Sequence, residues 1–406
     1  MDNLILLPKE ELDMRLARIR EAARLARIRE AARLAGATGC ILIADNATLY
    51  YLTGRVFNGW ACVPLERDTA PLWFVRRPVE LLGDGVIYVR KVEEIPGRMA
   101  EAGVPLPARL GQELDVMPYS VVERVRKAIP AGCYFNASPI VAAARAVKTP
   151  REIALIRQSG IIHEAVYRKI PSLYSPGMTD FEFEVAIEHL SRLEGCLGIF
   201  RVSGQSMEIF MGNVLAGRNA DVPTPYDFAM GGGGKHASLP VGASGGEIMP
   251  GTAVMVDVNG NYTGYMTDMT RTFACGTLPA EALAAHQCSI DICHAFQEKA
   301  REGVRAADLY DMAAAMAEAA GFSRYFMGHR QHAGFCGHGV GIEVNEQPVI
   351  APRSKGVLEV GNVIALEPKF VIPRVGAVGI ENTYAIGNNS VECLTNVPEE
   401  IIQLID

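Results

Sequence analysis

Ala253-Val-Met-Val-Asp257-Val-Asn-Gly-Asn-Tyr-Thr-Gly-Tyr-Met-Thr-Asp268-Met-Thr-Arg-Thr-Phe273 decides the fold. The run is apolar at both ends and carries turn chemistry at residues 261–264, so it reads as an antiparallel hairpin. Asp257 and Asp268 lie symmetrically about Tyr262 and Thr263. A hairpin centred there sets them directly opposite each other, and opposed side chains share one face of the ladder. Two like charges at that distance repel. The plainer alternative, two solvated strand residues, sits badly with flanks too apolar for an exposed edge. A cation between the carboxylates resolves the conflict, and hard oxygen donors suit Mn, Co, Fe or Zn.

A second hairpin repeats the pattern. In Asn362-Val-Ile-Ala-Leu-Glu367-Pro-Lys-Phe370 and Ala377-Val-Gly-Ile-Glu381-Asn-Thr-Tyr-Ala-Ile386, Glu367 and Glu381 are symmetric about Arg374. A short Pro373-Arg-Val375 loop faces them across the strands. One such Glu is ordinarily a surface residue; two opposed-carboxylate hairpins in one chain are harder to set aside. Between them, Cys336-Gly-His338-Gly-Val-Gly-Ile342 offers an imidazole among glycines that let the backbone approach closely. A lone His is more often structural, but four nearby carboxylates make a ligand of it.

At these residues the chain resembles the metallopeptidase family that contains prolidase, Xaa-Pro aminopeptidase and methionine aminopeptidase. The matching text is Asp257 with Tyr-Met-Thr-Asp268-Met-Thr-Arg-Thr-Phe, Gly-His338-Gly-Val-Gly, Leu-Glu367-Pro and Gly-Ile-Glu381-Asn. The spacings of 11 (257 to 268), 29 (338 to 367) and 14 (367 to 381) are similar to those of the prolidase branch. Asp45-Asn-Ala-Thr-Leu-Tyr-Tyr-Leu-Thr-Gly54 resembles the N-terminal domain shared with creatinase. The resemblance implies an α/β (α+β) chain, with a small creatinase-like N-terminal domain over 1–145 and a pita-bread catalytic domain over 146–406. It implies two divalent ions about 3.5 Å apart. Asp257 would hold one, His338 and Glu367 the other, and Asp268 and Glu381 would bridge both. Glu367 would also carry the proton from water to the leaving nitrogen. His236, in Gly231-Gly-Gly-Gly-Lys-His236-Ala-Ser-Leu-Pro, would be a substrate-binding catalytic histidine, and His332 a further cleft residue. The glycine run is no phosphate loop, because the Lys is not followed by Ser or Thr.

The resemblance breaks at two positions. Where the proline-specific enzymes carry a His near the substrate, this chain has Asn345. Where they carry an Arg two residues before the last ligand, it has Gly379. Three readings follow: a peptidase or dipeptidase acting at Xaa-Pro bonds; a C–N hydrolase of a small non-peptide amide or amidine, as in the creatinase and ectoine-hydrolase branches; and a catalytically silent binding protein on the same fold. Retention of all five ligands counts against the third. If the first holds, Asn345→His and Gly379→Arg are expected to raise Xaa-Pro turnover.

Bulk properties narrow the class further. The net charge of −7 makes nucleic acid and anionic membrane poor partners, and no run of about 18 apolar residues predicts a spanning helix. Nine cysteines without a CxxC, and an N-terminus lacking an apolar signal core, predict reduced thiols in a cytoplasm. Cys275 and Cys336 read as small core residues. Relatives are commonly homodimers; Phe57 and Trp60 are candidates for the contact, or for local core.

Along the chain, residues 12–35 predict one helix containing a perfect repeat, residues 15–23 recurring as 24–32. A nine-residue step turns a helix by roughly 180° beyond whole turns, so the two apolar stripes face opposite ways and one copy is surplus. Residues 40–43, 49–52, 61–65, 72–75 and 86–89 predict strands, and 119–129 a helix. Thr149, Pro150 and Glu152 form a cap signature after a linker at 146–150. Helices at 151–170 and 179–194 precede the first hairpin, and a helical block at 279–320 precedes the second. That is a pseudo-twofold duplication of helices then hairpin.

Overall fold

The structure, a computed structural model, describes residues 2–29, 39–66 and 69–404. Its contacts divide into two units, Met1–Arg145 and Ala146–Asp406.

The first unit is built on a six-stranded mixed sheet. Its strands are β1 (Gly39–Ile43), β2 (Asn58–Pro64), β3 (Leu72–Arg77), β4 (Val86–Tyr88), β5 (Arg109–Gln112) and β6 (Cys133–Asn136), in the order β4-β3-β2-β1-β5-β6. Helices α1 (Lys9–Arg29), α2 (Asn46–Thr53), α3 (Ile95–Glu101), α4 (Tyr119–Ala128) and α5 (Ser138–Ala146) complete the elements that concern us. Helix α2 corrects the strand expected at 49–52. Asp45 accepts from the N–H groups of Ala47 and Thr48, and Gly54 closes the helix in the left-handed region at φ 72°. These end signals outweigh the β-prone Leu-Tyr-Tyr-Leu run between them. The predicted helix over 12–35 starts earlier, at Lys9, and residues 30–38 lie outside the described residues. The first repeat copy is packed: Arg15, Leu16 and Ile19 are buried. The aromatics considered for a subunit contact are core residues instead, Phe57 at 2 % and Trp60 at 8 % exposure.

In the second unit α6 (Pro150–Lys169) opens with the expected capping box. Thr149 accepts from the Glu152 N–H, and the Glu152 side chain accepts from the Thr149 N–H. Helix α7 (Asp180–Leu193) opens with the same box at Thr179 and Glu182. Caps of this kind stabilise by about 1 kcal/mol each. The pair packs on β8 (Thr252–Asn261) and β9 (Met266–Cys275), which with β7 (Gly212–Ala216) and β17 (Ile402–Gln403) form a four-stranded sheet. Strand alternation does the sorting. Val254, Val256, Val258, Met269 and Phe273 join Tyr167, Phe183 and Ile187 in one apolar cluster. That leaves Asp257 and Asn259 on β8, and Asp268 and Thr270 on β9, for the opposite face.

The second half repeats the scheme. Helices α8 (Ala280–Lys299) and α9 (Ala306–Ala319) precede β10 (Gly337–Gly339), β11 (Glu346–Ile350), β12 (Val363–Leu366), β13 (Lys369–Ile372), β14 (Gly376–Gly379), β15 (Asn382–Ile386) and β16 (Val391–Cys393). Ile364, Leu366, Phe370, Ile372, Val378 and Ile380 bury against residues of α8 and α9 such as Ile292, Phe296 and Leu309. The alternate positions 367, 369 and 381 therefore face away from those helices. An isolated bridge between Thr270 and Glu381 joins the two sheets, so the polar faces meet. All nine cysteines are free, with Cys275 and Cys336 buried. Among the described residues no helix is long and apolar enough to cross a membrane.

Candidate metal centre

The register of the first hairpin differs from the expected one. Asp257 pairs with Thr270, and Asp268 pairs with Asn259. The loop is Tyr262-Thr-Gly-Tyr265, centred one residue later than its composition suggests. Helix α6 holds it there: the Thr263 hydroxyl donates to the Leu155 carbonyl at 3.0 Å, and the Asn261 side chain accepts from the Gly264 N–H at 3.1 Å. The two aspartates are thus diagonal rather than opposed. A slip of two positions leaves every side chain on its face, so they still converge. The second hairpin keeps its expected centre, with Ile372 paired to Gly376 around Arg374 and Leu366 paired to Asn382.

Asp268, Glu367 and Glu381 are buried, with His338 at 7 % exposure. The His338 Nδ1 hydrogen-bonds the Gly339 carbonyl at 3.1 Å, which assigns the proton to Nδ1 and turns Nε2 inward. Nε2 lies 3.4 Å from Glu367 Oε1 and 3.9 Å from Asp268 Oδ2. Ligand atoms of Asp268, His338 and Glu381 all fall within 4.8 Å of one another, and so do those of Asp257, Glu367 and Glu381.

Surrounding groups fix these side chains. Thr270 donates to Glu381 Oε2 at 2.8 Å, and the Asp268 N–H donates to the Thr383 hydroxyl at 2.9 Å. Turned with its nitrogen toward the carboxylate, the Asn259 amide donates to both Asp268 oxygens at 3.1 Å. The Tyr167 hydroxyl reaches the backbone on either side of Asp257, accepting from the Val258 N–H and donating to the Val256 carbonyl. Arg271, fully buried, donates to the carbonyls of Thr270, Glu381, Val397 and Pro398 and to the Asn382 side chain, tying β9 to β15.

The charges are crowded. Burial raises Asp268 well above the usual carboxylate range, and Glu381, Asp257 and Glu367 push it further. Burial also drives Glu381 up to about 8 against the pull of Lys369, with Glu367 and Asp257 adding to the rise. Glu367 is opposed by burial too, but Lys369 and His338 hold it down at about 2.

The two groups of ligands differ in how they meet a metal. In the first, Glu381 Oε1 is buried without a hydrogen-bond partner, and Asp268 is held in an anion-rich pocket. Carboxylate oxygens and one imidazole nitrogen fit a divalent ion of the Mn, Co, Fe or Zn kind. In the second, Lys369 Nζ already lies 2.8 Å from Asp257 Oδ2, 2.7 Å from Glu367 Oε2 and 3.3 Å from Glu381 Oε2. This lysine was overlooked in the sequence. Its signal was present: a lone cation in the apolar strand Lys-Phe-Val-Ile, two residues after a ligand and so on the same face.

A cavity of about 160 Å³ opens onto Asp257, Asp268, His338 and Glu367. Its wall is mainly apolar, from Ile209, Phe228, Phe335, Val344 and Val349, with Asn213, Asp227 and Asn259 also in the lining. Asn345 lines it too, but its amide is committed. Oδ1 accepts from the Ser203 N–H and Nδ2 donates to the Ser203 carbonyl, each at 2.7 Å. With the Val344 N–H donating to the Arg201 carbonyl, these bonds clamp the 201–203 segment as a wall. The other two expected substrate groups are elsewhere. His236 is exposed on the glycine-rich loop, its Nδ1 2.8 Å from the Ser238 hydroxyl, and lines no part of this cavity. His332 lines a smaller neighbouring cavity, with Nδ1 3.0 Å from the Phe326 carbonyl. Both sit where local turns, each closed by its own hydrogen bonds, keep the imidazole outside. Gly379 has φ 141°, and a Cβ there would lie 2.7 Å from the Pro368 carbonyl oxygen, so this backbone admits no side chain.

Known proteins share this chain's sequence pattern and fold. The sequence model of metallopeptidase family M24 matches residues 154–388, and that of the creatinase/prolidase N-terminal domain matches residues 24–147. The Xaa-Pro dipeptidase of Pyrococcus horikoshii is 26% identical over 368 residues, covering 89% of this chain and 94% of its own. An Xaa-Pro dipeptidase structure from Bacillus anthracis matches with a TM-score of 0.77 at 24% identity, covering 96% of this chain and 99% of that one. An X-Pro aminopeptidase from Thermotoga maritima matches with a TM-score of 0.74 at 21% identity, covering 94% and 99%. The structural likenesses carry the fold; the sequence match spans most of the catalytic unit and includes every expected ligand. This chain belongs to metallopeptidase family M24, behind an N-terminal domain of the creatinase/prolidase type.

Proposed function

We propose that the centre hydrolyses an amide bond in a small, largely apolar substrate, with Xaa-Pro dipeptides as the leading class. The observation that carries this is the convergence of Asp268, His338 and the unpartnered Glu381 Oε1, with Asp268 and His338 lining a mainly apolar cavity. The cavity is well below the roughly 300 Å³ of an ordinary ligand pocket, which favours a small substrate. Asp268, His338 and Glu381 would hold a divalent ion. Such an ion supplies a polarised carbonyl and a water of lowered pKa. Glu367, held as a carboxylate, accepts the proton released from water and passes it to the leaving nitrogen, so the C–N bond breaks as C–O forms. Asn259 and Thr270 keep the neighbouring carboxylates oriented. The names of the similar dipeptidases support the Xaa-Pro class.

One observation favours a small non-peptide amide instead. Of the expected recognition groups, Asn345 is bonded to Ser203, Gly379 has no side chain, and His236 and His332 lie outside the cavity. The test is a hydrolysis panel. Full-length protein loaded separately with Mn, Co, Fe and Zn is given Xaa-Pro dipeptides, other dipeptides and small N-acyl amides. Metal-dependent cleavage of Xaa-Pro dipeptides is expected, and Glu367→Gln should lower it by more than about 10²-fold. Cleavage confined to small amides would install the second reading. No cleavage of any amide with any ion would refute both.

A further inference from the structure

Lys369 opens β13 and is fully buried at 0 % exposure. An ammonium has three N–H donors and no acceptor. Here the three partners are Asp257, Glu367 and Glu381, at 2.8, 2.7 and 3.3 Å. They are the same three carboxylates that make up the second group of candidate ligands. An ion bound to those oxygens would stand about 2.1 Å from each, within contact of Nζ. The two cations exclude each other.

A second ion would also strip a buried ammonium of its partners. Lys369 lies directly across the ladder from Gly379, which sets no side chain opposite it.

We propose that Lys369 takes the place of one of the two metal ions, so that this chain uses a single divalent ion held by Asp268, His338 and Glu381. The inference rests on the reading of that group as a metal site. Lys369 is then a positioning residue: its ammonium fixes the side chains of Asp257 and Glu367 beside the ion.

The test counts metal. Metal-free full-length protein is saturated with Mn²⁺, cleared of unbound ion, and measured by elemental mass spectrometry and electron paramagnetic resonance. One Mn²⁺ per chain and the six-line spectrum of an isolated ion are expected. Two ions per chain with an exchange-coupled spectrum would overturn the lysine's role while leaving the metal centre intact. No bound ion would overturn the proposal and the metal reading together. Lys369→Ala should raise the count from one to two; a count that stays at one would mean that the lysine is not what excludes the second ion. If that variant fails to fold, the wild-type count and spectrum decide alone.

Discussion

Gly379 and Asn345 show what a single residue can hide. Both stand where the resembled peptidases carry a cationic or hydrogen-bonding side chain, and the sequence invites restoring them. The structure reverses that expectation. At φ 141°, with a carbonyl oxygen 2.7 Å from where Cβ would be, Gly379→Arg meets backbone on one side and the Ser289 hydroxyl on the other. It should cost more than about 2 kcal/mol through strain and overpacking, seen as a lower unfolding midpoint or loss of soluble protein. Asn345→His removes two bonds to Ser203 and frees the cavity wall; it should raise KM for whatever substrate is turned over rather than create Xaa-Pro activity. A well-folded Gly379→Arg, or an Asn345→His with improved Xaa-Pro turnover, would contradict this account of the cavity. Lys369 is the reverse case, a charge legible in an apolar strand but meaningful only when the carboxylates of Asp257, Glu367 and Glu381 close on it.

The elements divide by the kind of signal that specifies them. Helix α6 was legible because cap and period agree, α7 by its period, and the two hairpins because alternation and turn chemistry agree. Helix α2 was misread because its eight residues are too few for periodicity to outvote β-prone side chains; its capping residues Asp45 and Gly54 held the answer. The first hairpin's register was missed because the loop centre is chosen by contacts from α6, which no local pattern encodes. The repeat in α1 yields a direct test. Because the copies are identical, removing residues 15–23 or 24–32 produces the same chain, with the packed sequence of Arg15, Leu16 and Ile19 preserved after Met14. The midpoint of thermal unfolding should move by less than about 4 °C, the effect of roughly 1 kcal/mol. A chain that no longer folds would mean that the second copy is also packed.

Over the whole molecule, helices followed by a hairpin occur twice in the second unit, and each hairpin contributes its acidic face to one buried cluster. The candidate ligands could be picked out because Asp257, Asp268 and His338 lie on patterned strands and Glu367 and Glu381 in the short breaks between such strands. The substrate-facing residues were not, because they sit on loops whose course is decided by hydrogen bonds such as those of Ser203, Ser238 and Phe326. Everything proposed about chemistry depends on the cluster being a metal centre at Asp268, His338 and Glu381. Crystals of the full-length protein soaked in Mn²⁺ and measured near the manganese edge would locate the ion directly. The account predicts an anomalous peak about 2.0–2.2 Å from His338 Nε2 and from carboxylate oxygens of Asp268 and Glu381. Absence of a peak at those three residues, with manganese bound elsewhere or nowhere, would contradict it.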